Sequence, residues 1–143
     1  VPLDWTGYNG HMTEAKYLQA FADATDRFME LIGCDAAYIS SGGSYFTAET
    51  HIRHVDEVHA GAVIEVRTRV LLGAGKKMQL WHEMYEGDRL LATGEHFLLH
   101  VSLQTRKPSD PSPEIEAALV RFAKAQASLP MPEGVGRHVG APR

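Results

Sequence analysis

The chain has 143 residues, a formal net charge of −4 and one cysteine. That length holds one domain with a real core (residues 1–143) and excludes two, and a lone thiol excludes an internal disulfide. The acidic balance leaves no basic footprint for nucleic acid, and no apolar run reaches the length of a membrane span, so a cytoplasmic protein without nucleic-acid or membrane partners is expected.

Val1 to Asp4 read as the end of a first strand. From Thr13 to Ile32 the apolar positions Leu18, Phe21, Ala22, Thr25, Phe28, Met29 and Ile32 follow helical spacing. Thr13 is the expected N-cap, Glu14 suits the positive end of the helix dipole, and Gly33 is the expected stop. After the turn-rich Ser40-Ser41-Gly42-Gly43 the period changes to two. Ser44 to His54 alternates, with Phe46, Ala48 and Ile52 on one face. Tyr45, Thr47, Glu49, His51 and Arg53 lie on the other. A second strand follows Gly61, with Ile64, Val66, Val70 and Leu72 expected inward. Gly73-Ala74-Gly75-Lys76 reads as a hairpin turn. Lys77 to Glu86 is a third strand carrying Trp81 and Tyr85, and Gly87-Asp88 turns into a fourth, Arg89 to Leu103. Glu114 to Ala127 reads as a terminal helix. The stretch from Pro130 to Arg143, rich in Pro and Gly, reads as irregular.

The order is short strand, long helix, then four antiparallel strands joined by tight turns. The expected fold is α+β: a long central helix wrapped by an antiparallel sheet, the arrangement called a hotdog. An open sheet edge favours pairing, so a homodimer or a dimer-based homotetramer is expected.

The residues from Asp4 to Met12 read Asp-Trp-Thr-Gly-Tyr-Asn-Gly-His-Met and run straight into the helix. Unpaired amides at a helix start carry partial positive charge and can receive a forming oxyanion. A polar loop at that place is a candidate for acyl-transfer chemistry, with Asn9, Gly10 and His11 as its members. Turn geometry alone would also account for the Asn and the glycines. A carboxylate inside a strand needs a reason, and for Glu49 the reasons are catalysis or an exposed cross-strand partner. Asp4 is either a second acid or a turn-fixing residue. Trp5 and Tyr8 flank the motif, and Trp81 lies further along the chain. Their faces suit either packing or a cage for a quaternary ammonium group.

No metal site is expected. His51, His54 and His59 lack a spacing that puts two ligands together on one strand face. His96 and His100 share a face but stand four residues apart. Cys34 has no partner and reads as a small buried residue. No phosphate-binding loop or dinucleotide fingerprint is present, and no cofactor is expected.

Asn9-Gly10-His11-Met12 entering a helix with Tyr17-Leu18, then Phe46-Thr47-Ala48-Glu49-Thr50-His51, then Glu95-His96 and Leu99-His100-Val101, resemble the hotdog thioesterases. Within these they are similar to the group that includes the betainyl-CoA thioesterases of carnitine breakdown. Gly136-Arg137 near the C-terminus matches that group too. The resemblance implies hydrolysis of an acyl-CoA thioester at a dimer-interface pocket. It implies that an amide around Gly10 to Met12 polarises the carbonyl, and that an acid activates water or attacks directly. Related thioesterases carry an Asp three residues before the Gly-His pair, and here Gly7 stands there.

The acid is therefore expected from Glu49 or Asp4. Asn9 is expected to orient the thioester or the water. Trp5, Tyr8, Tyr45 and Trp81 are expected to line the acyl pocket, and Arg53, Lys76, Lys77 and Arg106 are candidates for the CoA phosphates. Two other readings of the chain are a hydratase or dehydratase of acyl thioesters and a non-enzymatic acyl-CoA-binding protein.

Overall fold

A computed structural model describes residues 1–141. A one-turn 3-10 helix at Leu3–Trp5 replaces the expected first strand. The long helix α1 runs Glu14–Leu31, with Thr13 at its N-cap. Its buried residues Tyr17, Ala20, Phe21, Thr25 and Phe28 recur every three or four positions, so one stripe faces the sheet. Gly33, at φ 97°, ends it as expected. Leu18 and Ala22, expected in the stripe, stay exposed on the flank of the helix. A short helix α2, Ala36–Ser40, was not legible in the sequence. Asp35 caps it by accepting from the Tyr38 amide at 3.0 Å.

The strands are β1 (Gly43–His54), β2 (Glu65–Ala74), β3 (Lys77–Glu86) and β4 (Arg89–Ser102). All neighbours are antiparallel, in the order β1-β4-β3-β2. Helix α3, Pro113–Gln126, follows. Beyond it the described part of the chain lies in turns as far as Ala141, and Pro142 and Arg143 fall outside the described residues.

Two irregularities turn side chains over. The β1–β4 register shifts between Thr47 and Glu49, which leaves Ala48 as an extra residue. Tyr45 is therefore buried against the helix layer while Phe46 is 55% exposed, the reverse of the simple alternation. Past the bulge Thr50 and Ile52 continue the helix-facing side, and Glu49, His51 and Arg53 share the back face with Phe46. A second shift between Val70 and Leu72 leaves Leu72 exposed rather than inward.

The core has two apolar clusters on the helix side of the sheet. One gathers Phe28, Ile32, Met78, Leu80 and Leu98 under Leu119 and Ile115 of α3. The other gathers Tyr17, Phe21, Met84 and Leu91 with Met12 and Val58. A polar layer lies beside them. His82 is fully buried, with Nε2 2.8 Å from the Thr25 hydroxyl and Nδ1 2.9 Å from the Thr68 hydroxyl. His96 stacks edge-on beside it at 5.1 Å. Gly94 makes room here, because a Cβ would lie 2.9 Å from both Phe21 and His96.

Candidate active site

The loop before α1 is held by its own backbone. Gly7 and His11 face each other through the Gly7 amide, which donates to the His11 carbonyl at 3.0 Å. The Gly10 amide returns to the Gly7 carbonyl at 3.0 Å, and Gly10 takes φ 80°, a left-handed turn that favours glycine. Asn9 Oδ1 accepts from the His11 amide at 3.3 Å. The Met12 amide donates to the Val58 carbonyl at 2.8 Å, and that of Thr13 to the Trp5 carbonyl at 3.0 Å. The amides of Gly10 to Met12, expected to meet an oxyanion, are thus already committed. The first-turn amides of Glu14 and Ala15 have no acceptor among the described residues, and no side chain caps them. They are the donors at this helix start.

A cavity of about 630 Å3 opens at the N-cap residue Thr13, lined also by Gly7, Asn9, His11, Tyr17 and Glu57 among others. Its wall is completed by the segment after β1. His11 and His59 form an antiparallel bridge, which sets their rings edge-on at 4.5 Å. Glu57 lies between them: Oε2 is 3.0 Å from His11 Nδ1, and Oε1 is 3.9 Å from His59 Nε2. Their ligand atoms all lie within 4.8 Å of one another. Strand spacing alone could not reveal this trio, because His11 comes from a distant loop. Asp56 also lines the cavity but is paired with Arg89 at 2.9 Å. That hydrogen bond holds its carboxyl below the ordinary carboxylate range. Tyr17 donates to the Asp56 carbonyl at 3.3 Å, and His54 packs edge-on against its ring.

The other expected site residues are dispersed. Glu49 lies on the opposite face of the sheet. There a second cavity of about 630 Å3 is lined by His51, Gln79, Glu95, Phe97 and the tail residues Gly136 and Arg137. The Gly136 amide donates to Glu95 at 2.7 Å, so the tail closes over this back cavity. Asp4 is exposed on the 3-10 turn and lines neither cavity. Lys16 covers the Trp5 ring at 5.5 Å. Tyr8 borders the front cavity, fully exposed.

Tyr45 is buried in a groove of about 320 Å3 between α1 and β1, and its hydroxyl has no partner there. Trp81 lies under the tail near Pro130, its ring nitrogen donating to Glu83 at 3.0 Å. No single pocket therefore collects the four aromatic residues. Cys34 is buried, and burial pushes its thiol up, which suits a packing role.

A long helix laid on a four-stranded antiparallel sheet, with a His-Glu pair near the helix start, defines a hotdog protein. The chain belongs to the thioesterase-like superfamily, whose family model matches residues 1–119. It is 72% identical, over 99% of its length, to the L-carnitine dehydrogenase/betainyl-CoA thioesterase of Ruegeria pomeroyi, of which it spans 29%. It is 41% identical, over 97% of its length, to the betainyl-CoA thioesterase of Pseudomonas aeruginosa, of which the match covers 89%. Among solved structures, a putative thioesterase from Pseudomonas putida superposes with a TM-score of 0.84 at 32% identity, over 100% of this chain and 93% of that one. A Staphylococcus aureus protein in complex with CoA superposes with a TM-score of 0.92 over 99% of this chain and 91% of that one. At 23% identity this second likeness speaks for the fold.

Proposed function

We propose that this chain hydrolyses the thioester of a short acyl-CoA, betainyl-CoA in particular, to the free acid and CoA. The observation that carries this reading is the match to the Pseudomonas aeruginosa betainyl-CoA thioesterase, which spans nearly the whole of both chains. The front cavity supplies suitable chemistry. The first-turn amides of Glu14 and Ala15 would take the oxyanion of the tetrahedral intermediate. Asn9 would fix the loop through the His11 amide and present its Nδ2 group to the thioester or the water.

Residues 1–143 are read as one hotdog domain acting as a homodimer in the cytoplasm. β1 is an open edge of 12 residues. Beside it lies the groove that holds Tyr45, flanked by the exposed Leu18. A second copy paired along β1 would cover the exposed Leu18.

The test is incubation with a panel of acyl-CoAs, betainyl-CoA included, while free thiol is followed. Thiol release fastest with betainyl-CoA is the expected result. Hydration of an enoyl-CoA without thiol release, or binding with neither reaction, would overturn the reading. Light scattering on the eluting protein is expected to give twice the mass of the chain, or four times.

A further inference from the structure

We propose that His11 and Glu57 form the acid–base pair of the front cavity, His11 as general base and Glu57 as the carboxylate that holds its ring. The proposal rests on the thioesterase reading and adds to it the group that activates water.

A carboxylate 3.0 Å from Nδ1 keeps a proton on that nitrogen and leaves the Nε2 lone pair available. Both residues line the cavity next to the helix start. Glu57 is also fixed from behind. Its carbonyl accepts from Arg89 at 2.8 Å, and its neighbour Val58 accepts from the Met12 amide at 2.8 Å. The segment is thereby tied to β4 on one side and to the loop on the other, which is the support a catalytic geometry requires. The remaining acids compete poorly. Asp56 is bound to Arg89, Glu49 belongs to the back cavity, and Asp4 lines neither.

The reaction balances without a further reagent. His11 Nε2 takes a proton from water as the water oxygen bonds to the thioester carbon. The oxyanion rests on the first-turn amides. It collapses with cleavage of the carbon–sulfur bond, and the imidazolium returns its proton to the leaving sulfur. The products are the free acid and the CoA thiol. Glu57 stabilises the imidazolium in between without becoming protonated.

The test compares wild type with Glu57→Gln, Glu57→Asp and His11→Ala, by thiol release from the acyl-CoA that wild type hydrolyses best. Changing the orienting carboxylate of a histidine base to its amide lowers kcat by up to about 10⁴-fold in triad enzymes, so Glu57→Gln is expected to lower kcat at least about 100-fold with KM little changed. Glu57→Asp is expected to recover part of that loss. Added imidazole is expected to restore turnover to His11→Ala, a response that a purely structural role would not give.

If Glu57→Gln fails to fold by circular dichroism, Glu57→Asp and the imidazole response decide. Wild-type kcat in Glu57→Gln, or no imidazole response, would overturn the proposal while the thioesterase reading stood. A wild type that releases no thiol from any acyl-CoA would overturn the reading and this pair with it. The His11, Glu57 and His59 ligand atoms also have a spacing that suits a zinc ion. About one equivalent of zinc in the purified protein, with activity lost on chelation, would overturn the pair in favour of a metal centre.

Discussion

The front and back cavities are alike in volume, about 630 Å3 each, and both contain carboxylates. Their surroundings differ. In the back cavity Glu49 stands in an exposed strand edge and Glu95 is taken up by the tail amide of Gly136. Neither carboxylate meets a helix start. In the front cavity Glu57 pairs with a histidine near the start of α1, whose first-turn amides of Glu14 and Ala15 have no acceptor among the described residues. A strand-interior acid is conspicuous in a sequence, yet what an acid can do depends on the group beside it. Here the partner is an imidazole contributed by a distant loop.

The largest expected effect separates the cavities by activity. His11→Ala should lower kcat about 10²–10⁴-fold, the range of general-base catalysis, measured by thiol release. A smaller loss would weaken the case for the front cavity.

The next effect concerns what lies beneath the helix. Burial pushes His82 down to about 3 and His96 down to about 4. Unfolded histidine takes up a proton below about 6.5, so the stability these residues carry is complete above that pH and is lost as pH falls toward 4. Lowering pH from 7 to 5 should remove about 2 kcal/mol for each of them, read from urea midpoints. A His82→Gln, His96→Gln variant should show a flatter slope. The back-face groups should contribute little to this loss. A slope unchanged in the double variant would contradict the assignment.

Thr25→Val comes third. It keeps the shape but leaves His82 Nε2 without its 2.8 Å partner. The expected cost is about 1–3 kcal/mol in thermal or urea unfolding. Glu49→Gln comes last, with kcat expected to change by less than about threefold, because Glu49 lines the back cavity, away from the His11–Glu57 pair. A large loss there would move the chemistry to the back face.

Much of the fold was legible before any coordinates. The α1 stripe, the Gly33 stop, the hairpin at Gly75 and the bounds of β3 all follow from period and turn residues. The side of β1 was not legible. A bulge at Ala48 carries no glycine or proline to mark it, yet one extra residue exchanges Tyr45 and Phe46 between the faces. The five residues of α2 are too few to show a helical period beside Ser40-Ser41-Gly42-Gly43.

The site was legible in part. Asn9-Gly10-His11 marked a loop that borders the front cavity, but the amides of Gly10, His11 and Met12 already donate to Gly7, Asn9 and Val58, and the proposed donors lie further on, in the first turn of α1. Glu57 gave no signal, since the irregular stretch between β1 and β2 has no period. The bridge between His11 and His59, with the Met12 amide bonded to the Val58 carbonyl, brings it to the loop. The aromatic residues Trp5, Tyr8, Tyr45 and Trp81 were expected to line one acyl pocket because a sequence does not show which layer each will join.

The most direct measurement compares kcat for Glu57→Gln and Glu49→Gln side by side, with betainyl-CoA as substrate and circular dichroism to check both folds. A loss of about 100-fold or more in Glu57→Gln, with Glu49→Gln within about threefold of wild type, is the predicted result. The reverse pattern would contradict the account.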